Sequence, residues 1–166
     1  MPYQMGVMTI SRSGERHIIW IGEMPVIRYP KPRPLVLMDR KLETFRLQQN
    51  MDEIHWCLDE CEHHDSYYRI RGFAFKRGND HYRYEKKLIL RNQNEEAWEF
   101  DMYPEERIDV AYSYPNEHFL FHTGYLCYVY DNVLQKENTY DVIIRLKNRF
   151  DYDDIRDIVT GKQICM

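Results

Sequence analysis

Tyr67-Tyr68-Arg69-Ile70-Arg71-Gly72-Phe73-Ala74-Phe75, then Lys76-Arg77-Gly78-Asn79-Asp80, then Tyr84-Glu85-Lys86-Lys87-Leu88-Ile89-Leu90 form the stretch on which the fold turns. In its first part, Tyr68, Ile70, Gly72 and Ala74 fall on one face of an extended chain. Tyr67, Arg69, Arg71, Phe73 and Phe75 fall on the other, because side chains alternate across a strand. The middle part is a turn by composition, since Gly, Asn and Asp tolerate backbone angles that other residues avoid. The stretch thus reads as a strand, a polar turn and a further strand.

The same period extends outward in both directions. Upstream, Ile54, Trp56 and Leu58 alternate with His55 and Cys57, and the polar cluster Asp59 to Ser66 reads as the end of that strand. Downstream, Arg91-Asn92-Gln93-Asn94-Glu95-Glu96 precedes a fourth strand in which Trp98, Phe100 and Met102 alternate with Glu99 and Asp101. Together with Tyr84 to Leu90 it makes a hairpin with a long polar loop. Arg107 to Phe119 is irregular and holds the turn Tyr114-Pro115-Asn116. Phe119 to Tyr130 is dense in aromatics, with Gly124 where a bulge or a close backbone approach is expected. Tyr140, Val142, Ile144 and Leu146 make the cleanest alternation, and Asp151 to Thr160 is either a short helix or a last edge strand. Strands of modest length, each with one face to bury and one to solvate, predict an all-β antiparallel sandwich.

Met1 to Met51 has a different texture. His17 to Ile21 is a short apolar run closed by Gly22, and Val26 to Tyr29 is expected to pair with it as a small hairpin. Tyr29-Pro30-Lys31-Pro32-Arg33-Pro34 carries three alternate prolines, which remove backbone donors and favour an extended connector. Leu35 to Met51 lacks clean alternation and is compatible with a strand, a short helix or both. The expected organisation is residues 1–51 as an extension with hairpin and Pro-rich connector, and residues 52–166 as the sandwich.

Composition narrows the function classes. With 166 residues, 43% of them hydrophobic and 30% charged, the chain has what one ordinary domain needs to fold without a metal or a disulfide. A net charge of −4 speaks against a general polyanion binder, so no nucleic-acid partner is expected. Met1 to Gly22 has no basic segment followed by an unbroken apolar core, and no apolar run is long enough to span a bilayer. Cys57, Cys61, Cys127 and Cys165 lack framework spacing, which predicts reduced thiols and a cytoplasmic location. No Gly-rich phosphate loop is present and no cofactor is expected.

From Ile54 to Leu146 the chain resembles the immunoglobulin-like β-sandwich domains attached to bacterial glycosyltransferases and polyol-phosphate transferases that build teichoic acids and capsules. The resemblance is carried by Tyr68-x-Ile70-x-Gly72-Phe73-Ala74-Phe75, Tyr84-x-Lys86-Lys87-Leu88-x-Leu90, Arg107-x-Asp109-Val110, Thr123-Gly124-Tyr125 and Tyr140-Asp141-Val142-Ile143-Ile144, in that order. Phe73 stands where the family commonly has Trp, and no transferase domain accompanies the module in this chain. The resemblance implies an immunoglobulin-like sandwich and a non-catalytic accessory role in surface-polysaccharide assembly. It implies partners of three kinds: a polysaccharide, a glycosyltransferase, or a second copy in a homo-oligomer.

Arg107 and Asp109, two apart, share a face on an extended segment and suit either an ion-paired clamp or a polar pair for a sugar hydroxyl. Trp98, Tyr112, Tyr114 and Phe119 flank irregular segments and are the aromatics expected to stack on a sugar ring. One rival reading is a zinc-dependent enzyme or metal-binding protein using Cys57, Cys61, His63 and His64. Against it, adjacent histidines on an extended segment point to opposite faces, and no matching second half of the motif exists. Another rival is a structural spacer built on the Pro30 to Pro34 connector. Ser113, His118, His122 and Asp131 show no nucleophile-elbow pattern, and Cys127 shares a strand face with Tyr125 and Val129 as a small core residue.

Overall fold

A computed structural model of the protein describes residues 3–10, 16–24, 39–49, 53–79, 81–134 and 136–166. The chain divides into two compact units, Met1–Leu35 and Val36–Met166. The first contains an antiparallel hairpin of β1 (Tyr3–Ile10) and β2 (Arg16–Met24), with a bulge at Met5/Gly6.

The second unit is an all-β sandwich of two antiparallel sheets. One has the order β11 (Ile155–Cys165), β10 (Thr139–Asn148), β6 (Tyr84–Asn92), β7 (Ala97–Asp101) and β3 (Asp39–Lys41). The other has the order β4 (Ile54–His64), β5 (Tyr67–Lys76), β9 (Gly124–Tyr130) and β8 (Tyr103–Glu105). The period-two faces read from sequence are the buried ones. Ile70 and Ala74 of β5, Leu88 and Leu90 of β6, Tyr125, Cys127 and Val129 of β9, and Val142, Ile144 and Leu146 of β10 meet in one core. At roughly 1.5–3 kcal/mol per fully buried large apolar side chain, this layer is the main source of stability.

The outer face of each sheet carries a cover. On the five-stranded sheet, Leu42, Phe45 and Leu47 pack over Ile89, Ala97 and Ile143, so residues 42–49 form an extended strap. The strap is fastened where Asp157 donates its N–H to the Gln48 carbonyl at 2.8 Å and accepts the Gln48 N–H at 2.9 Å. The Asp157 carboxylate is fully buried and takes two bonds from Arg145, at 2.7 and 2.8 Å, while the Arg145 guanidinium lies 5.0 Å from the Phe45 ring centroid. On the four-stranded sheet, α1 (Ile108–Ser113) and a 3-10 turn at Leu120–His122 place Val110 and Leu120 against Phe75.

The structure corrects some of these expectations and resolves others. The partner of His17–Ile21 is β1, with Thr9 opposite His17 and Val7 opposite Ile19; Val26 to Tyr29 and the Pro30 to Pro34 connector lie outside the described residues. β4 does not stop at Leu58 but runs through the polar cluster to His64, because a bulge between Leu58 and Glu60 shifts the phase and sets Glu60 and Glu62 opposite Arg71 and Arg69. Part of the segment before residue 52 joins the sandwich, as β3 and as the strap. Asp151 to Thr160 resolves as a turn followed by β11, whose register slips at Gly161, where φ is +73°. Gly124 is a site of close approach: an added Cβ would lie 2.7 Å from the Glu105 carbonyl oxygen.

Candidate functional site

The inward face of β6 reads Tyr84, Lys86, Leu88, Leu90, so strand alternation that buries two leucines also directs a lysine between the sheets. The chain passes from the five-stranded to the four-stranded sheet at Met102, between β7 and β8. At this end of the sandwich lies a cavity of about 620 Å³. Tyr84, Lys86 and Asp101 line it from one sheet, Tyr103 and Tyr125 from the other, and Tyr82, His122 and Arg149 complete it. A volume of this size is within the range of small-molecule sites.

The charges around the cavity are unevenly paired. Lys87 holds the two acids of the wall, Glu85 at 2.8 Å and Asp101 at 2.5 Å. Tyr84 donates its hydroxyl to Asp154, which also accepts from Asn148 at 3.0 Å; burial first, and this bond second, push the phenol up to about 12. Lys86 and Arg149 have no carboxylate partner among the described residues. The Lys86 Nζ donates to the His122 carbonyl at 3.4 Å, and desolvation, reinforced by the charge of Arg149, pushes its ammonium down to about 8. With both acids of the wall held by Lys87, the two cations that have no carboxylate partner make a setting that favours a negatively charged ligand.

None of the residues predicted from sequence lines this cavity, and of that set Arg107 and Asp109 are brought together as the ion-paired clamp. Trp98 is buried in the core, edge-on to Tyr140 with ring centroids 5.6 Å apart and with Lys41 Nζ 5.3 Å from its ring. Arg107 is also buried. It donates to Asp109 through Nε and Nη2 at 2.9 and 2.7 Å and to Asp59 through Nη1 at 2.5 Å, over the face of Phe73 at 5.0 Å. Its backbone N–H donates to the Phe121 carbonyl at 2.6 Å, so the residue ties the α1 segment to β4 and to the 3-10 turn. Tyr114 is half-buried against Phe75 and His55. Tyr112 at 83% and Phe119 at 64% are the two of the set that present their rings to solvent.

Cys57, Cys61, His63 and His64 do not converge. Cys57 and His64 pair with Phe73 and Tyr67, whereas Cys61 and His63 pair with Ile70 and Tyr68, on the opposite face of β5. His63 is bonded to Asp131 at 2.9 Å. Glu60, Glu62 and His64 have ligand atoms within 4.8 Å of one another, but Glu60 is already bonded to Arg69 at 3.1 Å and to His64 at 3.2 Å.

The cavity residues left a faint signal in the sequence. In Lys86-Lys87, between apolar residues of one strand, one of the two lysines must face inward. Arg149 and His122 left none, because loops bring them to the site. No protein-family model, curated protein or solved structure matches the chain. Among the described residues, no helix is long and apolar enough to cross a membrane.

Proposed function

We propose that this protein is a non-catalytic, immunoglobulin-like accessory module of surface-polysaccharide assembly, and that it binds an acidic or phosphate-bearing saccharide in the cavity at the end of the sandwich. The observation that carries the reading is the pairing of aromatic lining residues, Tyr82, Tyr84 and Tyr103, with two cations that have no carboxylate partner among the described residues, Lys86 and Arg149. Aromatic faces stack on the C–H surfaces of a sugar ring, while a guanidinium forks onto a phosphate or carboxylate. The assembly context comes from the sequence resemblance.

Calorimetric titration with neutral and with phosphate-bearing oligosaccharides tests it. The charged ligands are expected to bind and the neutral ones to bind at least roughly tenfold more weakly, with Arg149→Gln removing most of the difference. Absence of binding by every charged saccharide at millimolar concentration removes the reading. A second reading, docking to a transferase or to another copy, is favoured by Ile108, Tyr112, Phe119 and Phe121, all more than half exposed around α1 and the 3-10 turn. A chain that stays monomeric and captures no transferase partner would remove that one.

A further inference from the structure

The Lys86 amine combines three conditions rarely met on a surface lysine. It lies on the inward face of a strand and lines a cavity that opens to solvent. The acids that line the same wall, Glu85 and Asp101, are held by Lys87. Its hydrogen-bond partner is a backbone carbonyl, that of His122, which accepts from an amine without requiring it to be charged. The titratable and charged groups that line the cavity with it are Asp101 of β7, Tyr103 of β8, Tyr125 of β9, Tyr82, His122 and Arg149, together with Tyr84, Glu85 and Lys87 of its own strand.

We propose that Lys86 captures a small anionic aldehyde or ketone as an imine, with Arg149 holding the negative charge of the ligand. The lone pair of the neutral amine adds to the carbonyl carbon, and the C=O π electrons become a carbinolamine hydroxyl after proton transfer from nitrogen. Loss of that hydroxyl with the remaining N–H proton as water leaves C=N, so the exchange is amine plus carbonyl compound giving imine plus water, with no change in oxidation state. A lysine desolvated beside another cation is the arrangement that keeps an amine neutral enough to act as a nucleophile near neutral pH. This is covalent capture without turnover, and it rests on the reading of this cavity as a binding site, though not on the ligand being a saccharide.

The probe is pyridoxal phosphate, an aldehyde carrying a phosphate. The full chain is incubated with it at neutral pH, the imine is reduced with borohydride, and the labelled lysines are mapped by peptide mass spectrometry. Lys86 is expected to be labelled roughly tenfold or more faster than Lys136 and Lys162, which are exposed. Arg149→Gln is expected to slow labelling at Lys86 severalfold while leaving the rates at Lys136 and Lys162 unchanged. Labelling of Lys86 no faster than the exposed lysines overturns the proposal, and the wild-type comparison alone decides this if the variant fails to fold. Saccharide binding without selective Lys86 labelling removes the imine and keeps the reading above; labelling without saccharide binding does the reverse.

Discussion

Tyr125 occupies the space that a side chain on Gly72 would need. Its hydroxyl passes under β5 and donates to the Cys57 carbonyl of β4 at 3.1 Å; a Cβ on Gly72 would lie 2.1 Å from that carbonyl oxygen and 2.5 Å from the hydroxyl. The glycine is thus required by a close crossing inside the sheet, in a strand whose neighbours on both sides are paired. Gly72→Ala is expected to lower unfolding free energy by about 1–3 kcal/mol or more, measured by urea denaturation. Adding Tyr125→Phe is expected not to rescue it, because the backbone carbonyl remains in the way.

The strap over the five-stranded sheet depends on one buried carboxylate. Asp157 is fully buried and serves both Arg145 and Gln48. Asp157→Ala leaves a buried guanidinium without its partner, and a loss of roughly 3–5 kcal/mol is expected. Hydrogen exchange should show residues 42–49 losing protection first.

Acid should loosen the α1 clamp. The Asp109 carboxyl is held down to about 2, chiefly by hydrogen bonds from Arg107, so it is charged and bonded in the folded protein well below its ordinary range. A depressed folded-state value contributes stability that is present above the unfolded value and lost as pH falls through the folded one. The stability difference between wild type and Asp109→Asn, followed by denaturation at stepped pH, is therefore expected to be constant above about pH 5 and to shrink between about pH 4 and pH 2.

Trp98 and Tyr112 should behave oppositely on truncation. Trp98 fills the core beside Tyr140, and Trp98→Ala is expected to cost roughly 3–5 kcal/mol by leaving a cavity. Tyr112 is 83% exposed, and Tyr112→Ala is expected to change stability by no more than about 0.5 kcal/mol. Thermal melts of the two variants separate these outcomes.

The thiols should label in order of environment. Cys127 is buried between the sheets, and desolvation pushes it up to about 12, whereas Cys165 is exposed. Iodoacetamide at neutral pH is expected to modify Cys165 readily and Cys127 only on unfolding, as read by peptide mapping.

Strand alternation made the sandwich legible in the sequence. Ile70 and Ala74, Leu88 and Leu90, and Val142, Ile144 and Leu146 announce their buried face by a period of two, and the pleat enforces that period whatever the partner strand is. The extension of β4 through Glu60 and Glu62 was hidden, because acidic residues read as loop until Arg69 and Arg71 of β5 stand opposite them. The strap was hidden for a related reason: Leu42, Phe45 and Leu47 follow the relief of the sheet they cover and carry no period of their own.

The candidate site divides in the same way. An inward lysine at 86 follows from the sequence, since alternation places it with Tyr84 and Leu88. Its solvent-open surroundings, the missing carboxylate and the nearness of Arg149 do not, because they arise where the chain changes sheets at Met102 and the loop after β10 folds back, with the Arg149 N–H donating to the Arg83 carbonyl at 2.8 Å. Local geometry determines which way a side chain points, and only the packing of the two sheets decides what it finds there.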